Sequence, residues 1–206
     1  MGARVAPSIA ACVLSAHSAL ASSHVGQSGA MPTPAVPSAY QAAAHAAGIP
    51  ATFLWAVALQ ESGLLRGTRE VPWPWTLNVA GLPARFPTRE HACRALRRAL
   101  ERTSPTRIDV GLTQVNWGYH HELAHSPCDL LDPYRNLAVA SRLLLCLHRA
   151  GESWVLTGAR YHRPAGGEEA ARYGESLRIR LARIERDSQR NPQALPTRST
   201  VAGLNP

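Results

Sequence analysis

Apolar positions recur along this chain mostly at helical spacing. Residues 50–62 show it first: Leu54, Val57, Ala58 and Glu61 fall at i, i+3, i+4 and i+7, with Pro50 at a first helical position and no breaker before Gly63. A helix is predicted there, ended by Gly63 in a left-handed turn. Ser38 should cap a shorter alanine-rich helix that Gly48 and Pro50 close. Residues 88–102 place Ala92, Ala95, Leu96, Ala99 and Leu100 on one face and arginines on the other. Asp132-Pro133 opens a leucine-rich helix through Leu137, Ala140, Leu143, Leu144 and Leu147 to Gly151. Ser153 caps a short helix, and a last one begins near Glu168 with Tyr173, Leu177, Leu181 and Ile184 on one stripe. The period changes to two only at Trp75, Leu77 and Val79, where Gly81 and Pro83 supply a turn, so one short β-hairpin should follow the Glu61 helix. The expected class is mainly α (α+β), with one domain over residues 38–188.

The ends read differently. Residues 1–21 carry Arg4, then a mostly apolar stretch closing on Ala19-Leu20-Ala21, the pattern of an export signal cut after Ala21. Ile9-Ala10-Ala11-Cys12 resembles a lipoprotein cleavage box, but its apolar lead is short and holds Pro7. Residues 22–37 have the composition of a flexible lead-in and 189–206 that of a disordered tail. Export makes a disulfide reasonable among Cys93, Cys128 and Cys146; Cys128–Cys146 is the favoured pair and Cys93 the rival partner.

With 206 residues and 45% hydrophobic positions, one core is affordable and no stable membrane span is expected. The formal charge of +8 rests on 22 basic residues, every one an arginine, which suits an anionic polymer. They are dispersed, with neither a phosphate loop nor an aromatic RNA-binding signature, so nucleic acid is not the expected partner.

Glu61 is the first chemical candidate, because a carboxyl on an apolar face is pushed up toward neutrality and can then donate a proton. Trp73 and Trp75 offer indole faces on which sugar rings stack, unless they simply fill the core. In Gly111-Leu112-Thr113-Gln114-Val115-Asn116 a glycine allows close backbone approach while the two amides offer donors and acceptors. His121-Glu122-Leu123-Ala124-His125 matches the H-E-x-x-H of zinc proteases. Pro127 pushes Ser126 out of helical space and no third ligand follows, so a zinc metalloprotease is the unfavoured alternative and neither metal nor cofactor is expected.

Taken in order, Glu61-Ser62, Gly111-Leu112-Thr113-Gln114 and Ala159-Arg160-Tyr161-His162 resemble the E-S, G-L-M-Q and A-Y-N motifs of the soluble-lytic-transglycosylase domain, a lysozyme-like fold. The likeness spans residues 38–173 and is nearest to small exported members that serve conjugation, type IV secretion and pilus systems. It implies a monomeric periplasmic enzyme acting on peptidoglycan glycan strands, with components of such systems as candidate partners. By the same resemblance Glu61 is the sole catalytic acid and base, Ser62 orients the cleaved sugar or the acid, Gln114 and Asn116 hold glycan, and Tyr161 hydrogen-bonds near Glu61. Thr113 stands where methionine is usual. His162 stands where asparagine is usual, at a position that would face substrate. The rival chemistry is a hydrolytic muramidase, which recruits a second carboxylate. Asp109 is the candidate for it, unless it braces the turn at Gly111.

Overall fold

A computed structural model of the chain describes residues 36–190. The signal at 1–21, the Cys12 box, most of the lead-in and the tail beyond 190 lie outside the described residues. The described part is mainly helical with a small antiparallel sheet, an α+β arrangement.

Helix α1 (Ser38–Ala47) leads into α2 (Ala51–Ser62). Phe53, Leu54, Ala56, Val57 and Ala58 of α2 are each at most 1% exposed, so α2 is covered on nearly every side. It is a central core helix, and replacing Leu54 by alanine would cost about 2–5 kcal/mol. Two strands follow at once, β1 (Gly63–Arg66) and β2 (Arg69–Pro72), paired as a hairpin. Next come β3 (Thr76–Val79) and β4 (Leu82–Arg85), then α3 (Arg89–Leu100). After a 3-10 turn the chain forms β5 (Ile108–Val110) and β6 (Val115–Asn116), which complete a four-stranded sheet in the order β4-β3-β5-β6. A short α4 (Trp117–His120) and two 3-10 turns lead to α5 (Pro133–Leu147), α6 (Trp154–His162) and α7 (Glu168–Arg190).

Two apolar clusters fill the interior. One joins α1, α2, α5 and α7 through Ala44, Phe53, Leu54, Leu137, Leu144 and Leu177. The other lies between the sheet, α3 and α5, around Leu77, Leu96, Ile108, Val110, Leu130 and Leu143. Tyr161 packs against both.

Several expectations need correction. Pro37 is the N-cap of α1, and no side chain, Ser38 included, caps that helix. Gly63 is not left-handed but extended, with φ −52 and ψ 134, because it opens β1 opposite Pro72. The single hairpin becomes two hairpins plus two further strands. In the hairpin that was expected, Ala80 and Gly81 both carry positive φ (56 and 91), the mirror-image turn that matches strand twist. Among the described residues a disulfide joins Cys93 to Cys128, Cα atoms 5.3 Å apart, and Cys146 is not free. Cys128 is thereby taken, and Cys146 lies near the far end of α5, about 20 Å along the helix from Pro133. The 3-10 turn Pro127–Leu131 instead packs Cys128 under α3. The H-E-x-x-H stretch is not one helix: α4 ends at His120, His121–Leu123 is a 3-10 turn, and Ala124 is extended at φ −141. Among the described residues, no cluster of three metal-ligating side chains exists and no single helix is long and apolar enough to cross a membrane.

Candidate functional site

Glu61 sits in the last turn of α2, and its side chain is only 13% exposed. One turn back are Val57 and Ala58, both fully buried, so helical spacing delivers the carboxyl to an apolar wall. Two aromatic groups from the C-terminal half close over it. The Tyr173 hydroxyl of α7 donates to Glu61 Oε1 at 2.8 Å. The His162 ring, at the end of α6, lies flat on Tyr173 with centroids 4.3 Å apart and planes 9° from parallel. Its Nδ1 is 3.9 Å from the same Oε1, beyond hydrogen-bond reach but within ion-pair range when the imidazole is protonated. Burial pushes the Tyr173 phenol well above its usual range, and the Glu61 charge and hydrogen bond push it further. Tyr173 is therefore a fixed neutral donor.

The Gly111–Gln114 turn joins β5 to β6 and is anchored from three helices. Ser62 donates to Leu112 O at 2.7 Å, which ties the residue after Glu61 to the turn. Tyr161 donates to Thr113 O at 2.9 Å. From α5, the fully buried Asn136 accepts from Thr113 N (3.0 Å) and Oγ1 (2.7 Å), and donates to Val110 O and Leu130 O, both at 2.9 Å. A Cβ on Gly111 would stand 2.2 Å from Asn136 Nδ2, and its φ of +86 is left-handed, so glycine is required twice over. Gln114 also has positive φ (51), and its Nε2 donates to Gly111 O (2.8 Å) and Thr76 O (3.2 Å).

A polar row crosses the sheet beside this turn. Asn78, Asp109 and Asn116 are direct partners on β3, β5 and β6. Asn116 Nδ2 donates to Asp109 Oδ1 at 2.8 Å and Asn78 Nδ2 to Oδ2 at 3.4 Å. Each oxygen of Asp109 thus faces an amide donor. Asp109 and Glu61 both act electrostatically on Tyr161, whose phenol is pushed up first by burial.

The candidates from three distant stretches therefore converge: Glu61 and Ser62, the Gly111–Gln114 turn, and Tyr161 with His162. Their expected tasks shift in detail. Ser62 is fully buried and spends its hydroxyl on Leu112, so it fixes Glu61 against the turn and does not face the solvent side. Tyr161 holds Thr113, and the bond to Glu61 comes from Tyr173. Asn116 is absorbed by the fold, donating to Thr106 O and Asp109 while capping α4 through Tyr119 N. Trp73 and Trp75 are half-buried and meet edge to face, centroids 5.5 Å apart; Trp73 donates to Phe86 O and carries Arg66 over its ring. Neither indole is wholly consumed by the core. Sequence reasoning missed Tyr173 and Asn136. The only signal was a hydroxyl in an apolar stripe and an amide opening a leucine-rich one.

No family model matches the chain, and neither a curated protein nor a solved structure matches it.

Proposed function

We propose that this protein is a peptidoglycan lytic transglycosylase with a lysozyme-like fold, exported to the periplasm and opening the wall locally where an envelope-spanning machine is assembled. The observation that carries the reading is a single, nearly covered carboxyl, Glu61, held by Tyr173 and fastened through Ser62 to a strained glycine-glutamine turn. That combination supplies one proton donor of fixed aim beside backbone and amide groups suited to sugar.

In this reading neutral Glu61 protonates the oxygen between N-acetylmuramic acid and N-acetylglucosamine, and the C1–O bond breaks to leave a cation at C1. The muramic acetamide can support that cation. The carboxylate then takes the proton of the C6 hydroxyl, whose oxygen bonds to C1. The product is a 1,6-anhydro sugar; water is not consumed and Glu61 ends as it began. Tyr173, donating to Oε1, stabilises the carboxylate between the two steps. The positive charge of +8 suits a polymer bearing peptide carboxylates.

One observation favours a second reading, hydrolysis of the same bond. Asp109 is held by two amides and, like Glu61, acts electrostatically on Tyr161, so a second carboxyl of the kind muramidases recruit lies in the same neighbourhood. Mass spectrometry of digested peptidoglycan separates the two. Anhydro ends support the lyase, reducing ends the hydrolase, and intact glycan with folded protein removes both.

A further inference from the structure

Glu61 does not face bulk water alone. The His162 side chain, 42% exposed, lies beside the carboxyl, 13% exposed, at ion-pair distance from Oε1 and held parallel to Tyr173. It is the last residue of α6, where the helix dipole favours a cation. We infer that His162 is a titrating partner of Glu61, so that the proton donor of this site is a coupled carboxyl–imidazole pair rather than an isolated acid. The inference rests on the proposed glycan-cleaving role of Glu61, and it assigns that site a control by pH.

The physical argument is one of charge. Whenever Glu61 has given its proton away, a carboxylate is left in a poorly solvated place. An imidazolium at 3.9 Å stabilises it, and a neutral imidazole does not. The two groups thus titrate as a pair with shared steps. Among the described residues, the other charged and titratable groups near the pair have partners of their own. Tyr161 and Tyr173 are held neutral by burial. Asp109 on β5 acts on Tyr161, and Arg180 on α7 acts on Tyr173 while bound to Glu70 and Gln60. Arg163, next to His162, is engaged by Glu169. Stacking on Tyr173 gives His162 a second service, since the ring that donates to Glu61 is itself held flat.

Two replacements separate these services. His162→Phe keeps a flat ring on Tyr173 and cannot titrate; His162→Asn loses both. The rate of glycan release by the full chain, followed from pH 4 to 9, should show two ionisations in the parent and one in either variant. His162→Phe should retain the parent melting temperature. A two-ionisation profile in His162→Phe overturns the inference. A parent that releases nothing at any pH overturns the proposed function instead, and the pair is then judged by NMR alone: the His162 ring signals should titrate at lower pH in Glu61→Gln than in the parent. Coincident titration curves would end the inference whatever the activity.

Discussion

Tyr173 reaches across 112 positions of sequence to donate its hydroxyl to Glu61 Oε1 at 2.8 Å. This bond joins the last helix to the end of the central one and lets α7 decide where the carboxyl points. Its strength should rise as Glu61 loses its proton, because hydrogen bonds to charged acceptors are worth about 1.5–3 kcal/mol against about 1 for neutral ones. Tyr173→Phe removes the bond and keeps the buried ring. We expect kcat on peptidoglycan to fall about tenfold or more with KM little changed, since 1.4 kcal/mol is a factor of about ten. An unchanged kcat would mean that the hydroxyl only fills space.

Glu61→Gln keeps the shape and an acceptor for Tyr173 but has no acid proton. Wall lysis should fall at least about a hundredfold, the usual contribution of a general acid, while circular dichroism and melting stay near those of the parent. Equal turnover by this variant would dismiss enzymatic function at this site and leave wall binding as the surviving role.

How far these residues could be read beforehand depends on the range of the interaction involved. Glu61 was legible because its neighbours Val57 and Ala58 are local and share its face. The apolar stripes of α3, α5 and α7 were legible for the same reason. Strands β5 and β6 were not, since Ile108–Val110 and Val115–Asn116 are too short to display alternation. Strand β1 was hidden because Leu64 and Leu65 adjoin and then give way to arginine, with no period of two. Tyr173 and Asn136 lie on helix faces that predict burial only; what their polar atoms bind is set by tertiary packing across the whole chain. Cys93 could be read only as the rival partner because α3 and a 3-10 turn meet through the fold and not through spacing.

Gly48 and Gly63 both end helices, yet for opposite reasons. Gly48 has φ +73 and nothing within 4 Å of an added Cβ, so its need is conformational. Gly63 has φ −52, and an added Cβ would stand 2.3 Å from Leu59 O and 2.4 Å from Glu70 Oε1, so its need is space. Gly48→Asn should therefore cost less than about 1 kcal/mol, since asparagine tolerates the left-handed region. Gly63→Asn should cost more than about 2 kcal/mol and lower turnover as well, because the backbone that must move carries Glu61. Urea melts of the two variants check the difference, and equal losses would refute this division.

The acid limit of stability should lie in the pair that seats α6. Glu152 receives Arg160 through two hydrogen bonds of 2.7 Å each, and also accepts from Arg149 N at 2.9 Å and Thr157 Oγ1 at 3.1 Å. Arg160 first, then these other donors against the opposing cost of burial, hold the Glu152 carboxyl down at about 2 from its usual 4.5. A depressed carboxyl stabilises the folded state above its unfolded value, and that contribution is lost as pH falls from about 4.5 toward 2. The melting temperature of the parent should therefore exceed that of Glu152→Gln by a constant margin near neutrality, and the margin should shrink steadily below pH 4.5. Arg160 directly precedes Tyr161 and His162, so the same variant should lose turnover at neutral pH through a loosened α6, even though Glu152 touches neither Glu61 nor the turn. A margin that stays constant down to pH 3 would show that the pair is decorative, and the anchoring of α6 would then have to come from its apolar contacts with α5 and α7 alone.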